Sequence, residues 1–287
     1  MSFFVSLPSA ALRVKGADRV PFVHGQVSND VRGLPVPGVC RSVILNAKGQ
    51  IEFDVRVYKR ADDLYIHAAD GLGAALLERL QRYVVFDDVK LEDISARLAV
   101  FHVSNDLASS FGWSGGVQLL ETDGFGALLV APVQRGLEGG IDVHVLADHA
   151  DALEAQFAVR GERLSEADLE RSRLRAGLAD AHRDGFLGRL PQECGLEDAV
   201  SYKKGCYIGQ EIMARLEARG NARYGLRTVT LEGSASVGTP VTLEGREVGQ
   251  LGSSVQDGEA FIGLAVLRVD LASDASLEVN SVRLRLG

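Results

Sequence analysis

A chain of 287 residues, 46% hydrophobic and 24% charged, is long enough for two or three modules and has the composition of a folded protein with a sizeable core. Its formal charge of −8 argues against a broad nucleic-acid surface, which needs clustered cations, and its longest apolar runs, such as 127–133, are too short to span a bilayer. Three cysteines without a CxxC spacing and six histidines without a paired-ligand spacing point to a reducing, cytoplasmic setting and no protein-only metal site.

In chain order, Leu12-Arg13-Val14 reads as a strand, and Gly16 precedes a helix expected over 17–31. There Val20, Val23, Val27 and Val31 recur at three- and four-residue steps, with Asn29 and Asp30 at the helix end. Over 51–58, Val55 and Val57 alternate against Asp54 and Arg56; Leu64, Ile66 and Ala68 share one face of the next strand, so the two read as a pair. Between 73 and 86, Leu76, Leu77, Leu80, Tyr83 and Val84 form the buried stripe of a helix covering that sheet. The arrangement then recurs: strands at 98–103 and 128–133, alternation at Ile141, Val143 and Val145, and a helix at 148–159. Two α+β units of similar build follow from this.

The stretch 176–207 is rich in Gly, Pro and polar residues with little periodicity, which makes it either a linker or a site. A helix is expected over 210–218. From Arg223 onward, short strands at 228–231, 241–243, 247–251 and 260–264 alternate with glycine-containing turns, the texture of a small antiparallel barrel or sandwich.

One segment stands out chemically: Lys203-Lys204-Gly205-Cys206-Tyr207-Ile208-Gly209-Gln210-Glu211. It sets a thiol beside two ammonium groups and ahead of a helix start, both of which favour a thiolate. Gly205 and Gly209 permit positive φ or close backbone approach, while Gln210 and Glu211 bring an amide and a carboxylate to the helix start, where they would line a polar ligand. On residue types alone the alternative is a glycine-punctuated link between domains, with Glu211 and Arg215 as an exposed i, i+4 pair.

The eight residues KGCYIGQE resemble the KGCYxGQE signature of the YgfZ/GcvT folate-binding family, which includes the glycine-cleavage T-protein. Gly25-Gln26-Val27-Ser28-Asn29-Asp30-Val31, Arg173-Leu174-Arg175-Ala176-Gly177, Pro191-Gln192-Glu193 and Gly245-Arg246-Glu247-Val248-Gly249 are similar to further stretches of that family. The resemblance implies an α+β fold of three modules in a ring. Its parts are a split folate-binding domain (1–39 and 97–215), an inserted α+β domain (40–96) and a C-terminal antiparallel β-barrel (216–287), the two α+β units being ferredoxin-like.

It also implies tetrahydrofolate, or a one-carbon derivative, as cofactor. Gln26 and Arg175 are expected among the cofactor-binding residues, Asn29 and Asp30 near the pterin, Lys204 and Arg223 or Arg227 at the glutamyl tail or cavity rim, and Tyr207 as a stacking surface, since a carboxylate grips the aminopterin edge and cations hold the anionic tail. Two departures are visible. Arg175 stands where relatives carry the Glu of an LEAG segment, and Phe53-Asp54 stands where T-proteins have consecutive aspartates.

The function implied first is a folate-binding helper in iron–sulfur protein assembly or repair, associated with radical-type tRNA-modifying enzymes, in which Cys206 is the functional thiol. The second is an aminomethyltransferase with Asp54 as its acid, and the third a scaffold in which Cys206 is inert. Iron–sulfur clients are expected as partners, with no direct nucleic-acid contact, no membrane and a monomeric chain; Cys40 and Cys194 are expected to be structural.

Overall fold

The computed structural model describes residues 2–122, 124–220 and 222–287. Three β structures carry the chain. The opening strand β1 (Phe3–Ser6) crosses to a sheet completed only much later. The next stretch, β2 (Ser9–Lys15), α1 (Arg19–Gln26), β3 (Gly38–Leu45), β4 (Ile51–Lys59), β5 (Leu64–Ala69), α2 (Gly73–Gln81) and β6 (Lys90–Asp93), forms a five-stranded sheet of order β3-β4-β5-β2-β6 with its two helices. Strand alternation builds its core: Phe53, Val55 and Val57 face one way, packing with Val23, Val27 and Val31 below and Leu76 and Leu80 of α2.

The helix expected over 17–31 stops at Gln26. Val27 turns extended, and Ser28 bonds to β3 through Val43 and to the carbonyl of Ala199. Val27 and Val31 remain buried, so the periodicity was a sign of burial beyond the helix itself.

The second sheet, of order β11-β1-β7-β10-β9-β8, uses β7 (Leu98–Ser104), α3 (Asn105–Ser109), β8 (Gln118–Thr122), β9 (Gly126–Pro132), β10 (Gly140–Leu146), α4 (Ala150–Ala158) and β11 (Glu162–Arg163). Then come α5 (Glu166–Arg175), a mostly irregular stretch over 176–209, and α6 (Gln210–Arg219). The sheets do not divide where the boundaries 1–39 with 97–215, and 40–96, had put them. β2 pairs with β5 and β6, setting Leu12 opposite Ile66 and Val14 opposite Leu91, so residues from 9 onward belong with 38–93. Only β1 joins the later sheet, through antiparallel pairing with β7.

The last strands, β12 (Tyr224–Leu231), β13 (Pro240–Leu243), β14 (Arg246–Asp257), β15 (Ala260–Arg268), β16 (Leu277–Val279) and β17 (Val282–Leu286), close into a barrel in the order β12-β15-β14-β13-β16-β17. Closure through β12 and β17, with Val229 opposite Leu286, leaves no free sheet edge. The stretch 176–209 is neither a loose link nor part of the split domain. It has a core of its own: Ala181, Phe186, Cys194, Leu196 and Ala199 pack against Val43 and Ile51 of the first sheet and Val266 of the barrel.

The two sheets meet face to face through an unusually polar layer. Tyr58 and Tyr65, paired across β4 and β5, stack with ring centroids 4.4 Å apart, and His144 of β10 packs edge-on 4.6 Å from Tyr58. The hydroxyls of both tyrosines, both ring nitrogens of His144 and Nε2 of His67 are buried without a protein partner. Burial holds His144 neutral, down to about 3, and His67 well below its ordinary value. A histidine depressed in the fold protonates more readily once unfolded, so its stabilising contribution is full above about pH 6.5 and is lost as pH falls toward the folded value. Urea unfolding followed from pH 7.5 to 4.5 should therefore lose on the order of 2–3 kcal/mol per histidine, and His144→Phe should flatten the profile.

Candidate functional site

The KGCYIGQE segment lies between the 3-10 turns Pro191–Cys194 and Glu197–Ala199 and helix α6. Lys204 is buried, with its ammonium donating to the carbonyls of His24, Val27 (2.6 Å) and Asn29 (3.1 Å). These lie at and just beyond the C-terminal end of α1, where backbone carbonyls lack helical partners and a cation is favoured. Burial lowers the Lys204 pKa to about 8, and its Nζ sits 4.7 Å from the ring centroid of Tyr207. The residue expected to hold a folate tail is instead a structural pin. The thiol that feels its charge is Cys40, which burial nonetheless pushes up to about 11.

Cys206 itself is exposed, as is Gly205, whereas Cys194 is buried. Tyr207 is buried, its phenol raised to about 12 by burial. Gly209 has φ +84°, and a Cβ there would lie 2.8 Å from the Asn46 carbonyl oxygen, so only glycine seats the motif against the β3–β4 turn. Gln210 reaches back to the Lys204 carbonyl at 3.4 Å, and Glu211 pairs with Arg215 on the exposed face of α6.

The other expected cofactor residues lie outside the cavity described below, and most of them are bonded elsewhere. Gln26 accepts from Arg79 at 3.4 Å. The amide of Asn29 donates to the carbonyls of Arg41 (2.9 Å) and Asp198 (3.0 Å). Asp30 accepts from the Gly33 amide, which lowers its pKa, and lies 3.4 Å from Nδ1 of the buried His24. Arg175 pairs with Asp257 at the end of β14, tying α5 to the barrel, and Arg223 is exposed at the barrel entry. Of the residues expected in the site, the cavity described next is lined by Asp54 alone.

That cavity holds about 940 Å³ of empty space, counting its open mouth, at one end of the inter-sheet layer. Arg41 of β3, Asp54 and Arg56 of β4 and His67 of β5 form one wall; Gln134 and Arg135 between β9 and β10, Glu166 and Glu170 of α5, and Asp180, His182 and Arg183 complete it. The polar side of β4, opposite Val55 and Val57, thus faces a cavity between modules. Arg41 and Asp54 form a two-pronged ion pair, Nε–Oδ1 3.1 Å and Nη2–Oδ2 2.6 Å, while Arg41 also donates to the Ala179 carbonyl and Asp54 accepts from the Ala181 amide. Burial would raise the Asp54 pKa, but Arg41 outweighs it and keeps the carboxylate ionised. His182, lowered chiefly by burial, accepts the Asp54 amide at Nε2 and is therefore protonated at Nδ1.

Arg173, within the RLRAG stretch, anchors the cavity's far wall. It grips Glu170 of its own helix, the buried Asp184 through two bonds of 2.8 and 2.9 Å, and the Leu178 carbonyl. Asp184 in turn accepts the Ser253 amide of β14. Arg41, Arg56, His67, Arg135 and Asp180 were missed as site residues. Only Arg56 left a signal in the sequence, as the charged partner in the β4 alternation. Among the described residues no group of three or more His, Cys, Asp or Glu side chains is arranged to hold a metal, and no helix is long and apolar enough to cross a membrane.

With the geometry in hand, likeness to known proteins adds the family. A family model for the CAF17 C-terminal β-barrel domain matches residues 223–287. The chain is 28% identical to the tRNA-modifying protein YgfZ of Serratia proteamaculans, over 94% of this chain and 86% of that protein. It is 26% identical to YgfZ of Yersinia enterocolitica with the same coverage. A chloroplastic protein of Arabidopsis thaliana is 23% identical over 91% of this chain, which spans 64% of that longer protein. In structure the chain superposes on the glycine cleavage system aminomethyltransferase T of Bartonella henselae with a TM-score of 0.83, covering 99% of this chain and 84% of that one at 15% identity, a likeness of fold. With its closed terminal barrel, its two α+β sheets and its KGCYIGQE loop, the chain is YgfZ-like in sequence and GcvT-like in fold.

Proposed function

We propose that this is a tetrahydrofolate-binding protein that supports iron–sulfur enzymes, among them enzymes that modify tRNA, through Cys206. The observation that carries the reading against one-carbon transfer is the state of Asp54. A transferase needs a carboxylate free to act on the folate nitrogens, and here both carboxylate oxygens of Asp54 are taken by Arg41 and one also by the Ala181 amide.

The cavity fits a folate in its donor set. Glu166 and Asp180 supply carboxylates of the kind an aminopyrimidine edge requires, taking over from the acid that Arg175 replaces. Bound, the folate would supply a carrier for one-carbon units; the chain's residues hold and orient it. Cys206 lies outside the cavity lining, on an exposed loop pinned by Lys204, a position suited to meeting a partner protein.

Complementation of a strain lacking its own YgfZ, read as activity of an iron–sulfur tRNA-modifying enzyme, tests the reading. Cys206→Ala should abolish rescue while leaving stability within about 0.5 kcal/mol, as expected for an exposed side chain. Full rescue by that variant would return the protein to the scaffold class.

A further inference from the structure

The deep wall of the cavity carries an imbalance of charge. Three guanidiniums, those of Arg41, Arg56 and Arg135, line it with the carboxylate of Asp54, and a second carboxylate, Asp142, is fully buried outside the lining. Arg41 takes Asp54 with two bonds, and Arg135 takes Asp142 with bonds of 2.8 and 2.6 Å, while His102 holds the same Asp142 at 2.9 Å. Arg56 is left with no hydrogen bond or ion pair to a protein group among the described residues, and the two neighbouring guanidiniums weaken its hold on its proton after burial has done so. Asp180 on the facing wall accepts the amides of His182 and Arg183 and lies 3.8 Å from the Arg183 guanidinium.

Beside Arg56, across the β4–β5 pairing, His67 is 5% exposed, lines the same cavity and has an Nε2 with no protein partner. A buried ring nitrogen without a partner is costly, and a half-buried guanidinium without one, facing the cavity, is free to take a ligand group. Guanidinium geometry selects the ligand chemistry, because its planar fork matches a carboxylate or a phosphate.

We infer that Arg56, assisted by His67, forms an oxyanion subsite at the base of the cavity, which takes a carboxylate- or phosphate-bearing group of the bound ligand. The inference rests on the cavity being the ligand site; if that ligand is a folate, the group is a carboxylate of its glutamyl portion.

Calorimetric titration with three probes, inorganic phosphate, tetrahydrofolate and tetrahydropterin without a carboxylate tail, separates the two readings. In Arg56→Met, affinity for phosphate and tetrahydrofolate should fall by about 10- to 100-fold, the range of a charge-assisted contact, with recovery in Arg56→Lys and no change for tetrahydropterin. Without ligand, Arg56→Met should melt at or above the wild-type temperature, since it removes a cation with no protein partner; added phosphate or tetrahydrofolate, but not tetrahydropterin, should restore a wild-type advantage. Tetrahydrofolate bound equally by wild type and Arg56→Met would overturn the subsite and leave the folate reading standing. Arg56-dependent phosphate binding without tetrahydrofolate binding would do the reverse. A loss for tetrahydropterin as large as for tetrahydrofolate, or no binding of either oxyanion probe, would also overturn the subsite.

Discussion

Lys204→Met is expected to lower the free energy of unfolding by about 3 kcal/mol, since it strips three backbone carbonyls of a buried cation. Methionine nearly matches the length of the stem, so lost packing is a minor part. The carbonyls of His24, Val27 and Asn29 lose their partner, and the turn carrying Gly205 and Cys206 loses its tie to the end of α1. Urea unfolding of the two proteins measures the loss, and hydrogen exchange over 203–209 should rise in the variant. If Lys204 instead held a ligand from solvent, the unliganded variant would be as stable as the wild type and only binding would suffer.

Asp54→Asn should cost a similar amount, about 3–5 kcal/mol, because it leaves the Arg41 guanidinium largely buried beside a neutral amide. The double variant Arg41→Met with Asp54→Leu should recover much of this loss, a coupling that a thermodynamic cycle reads directly. The same variant divides the two chemical readings. With an aminomethyl-lipoyl carrier and tetrahydrofolate, the wild type is expected to form no methylene-tetrahydrofolate. Turnover in the wild type that Asp54→Asn abolishes would make Asp54 a catalytic acid and the protein an aminomethyltransferase.

How far the sequence led depends on which kind of regularity each part possesses. Strands β4, β5 and β10 alternate in residue type, helices α2 and α4 carry an apolar stripe, and glycine-containing turns set off β15, so these elements were located to within about five residues. β3 escaped because Val43, Ile44 and Leu45 are all buried, on both faces, and leave no alternation to read. α5 escaped because it buries little beyond Arg173 and Leu174, although the Ser165 and Asp168 capping box marks its start.

The chemistry divided in the same way. KGCYIGQE was conspicuous as a string, and the resemblance pointed to the same proteins that the chain is similar to in sequence and fold. What each of its residues touches depends on α1 and on the β3–β4 turn, some 160 to 180 positions distant. Lys204 and Cys206 are neighbours in sequence, yet one is buried and the other exposed. The cavity was invisible for a related reason: its walls come from β3, β4, β5, the β9–β10 link, α5 and the stretch after it, and no local pattern announces such a convergence.

The stretch after α5 carries a further consequence. It has little regular structure, yet its backbone bonds to Ile51 from both Gly188 and Arg189, its Asp184 reaches β14, and Gly195 packs against Leu226. Surface loops ordinarily absorb added residues and vary in length at small cost. Here an added residue would slide the Ile51 bonds and the Asp184 anchor out of register together, so the least regular part of the chain is also the part whose length is least free to drift.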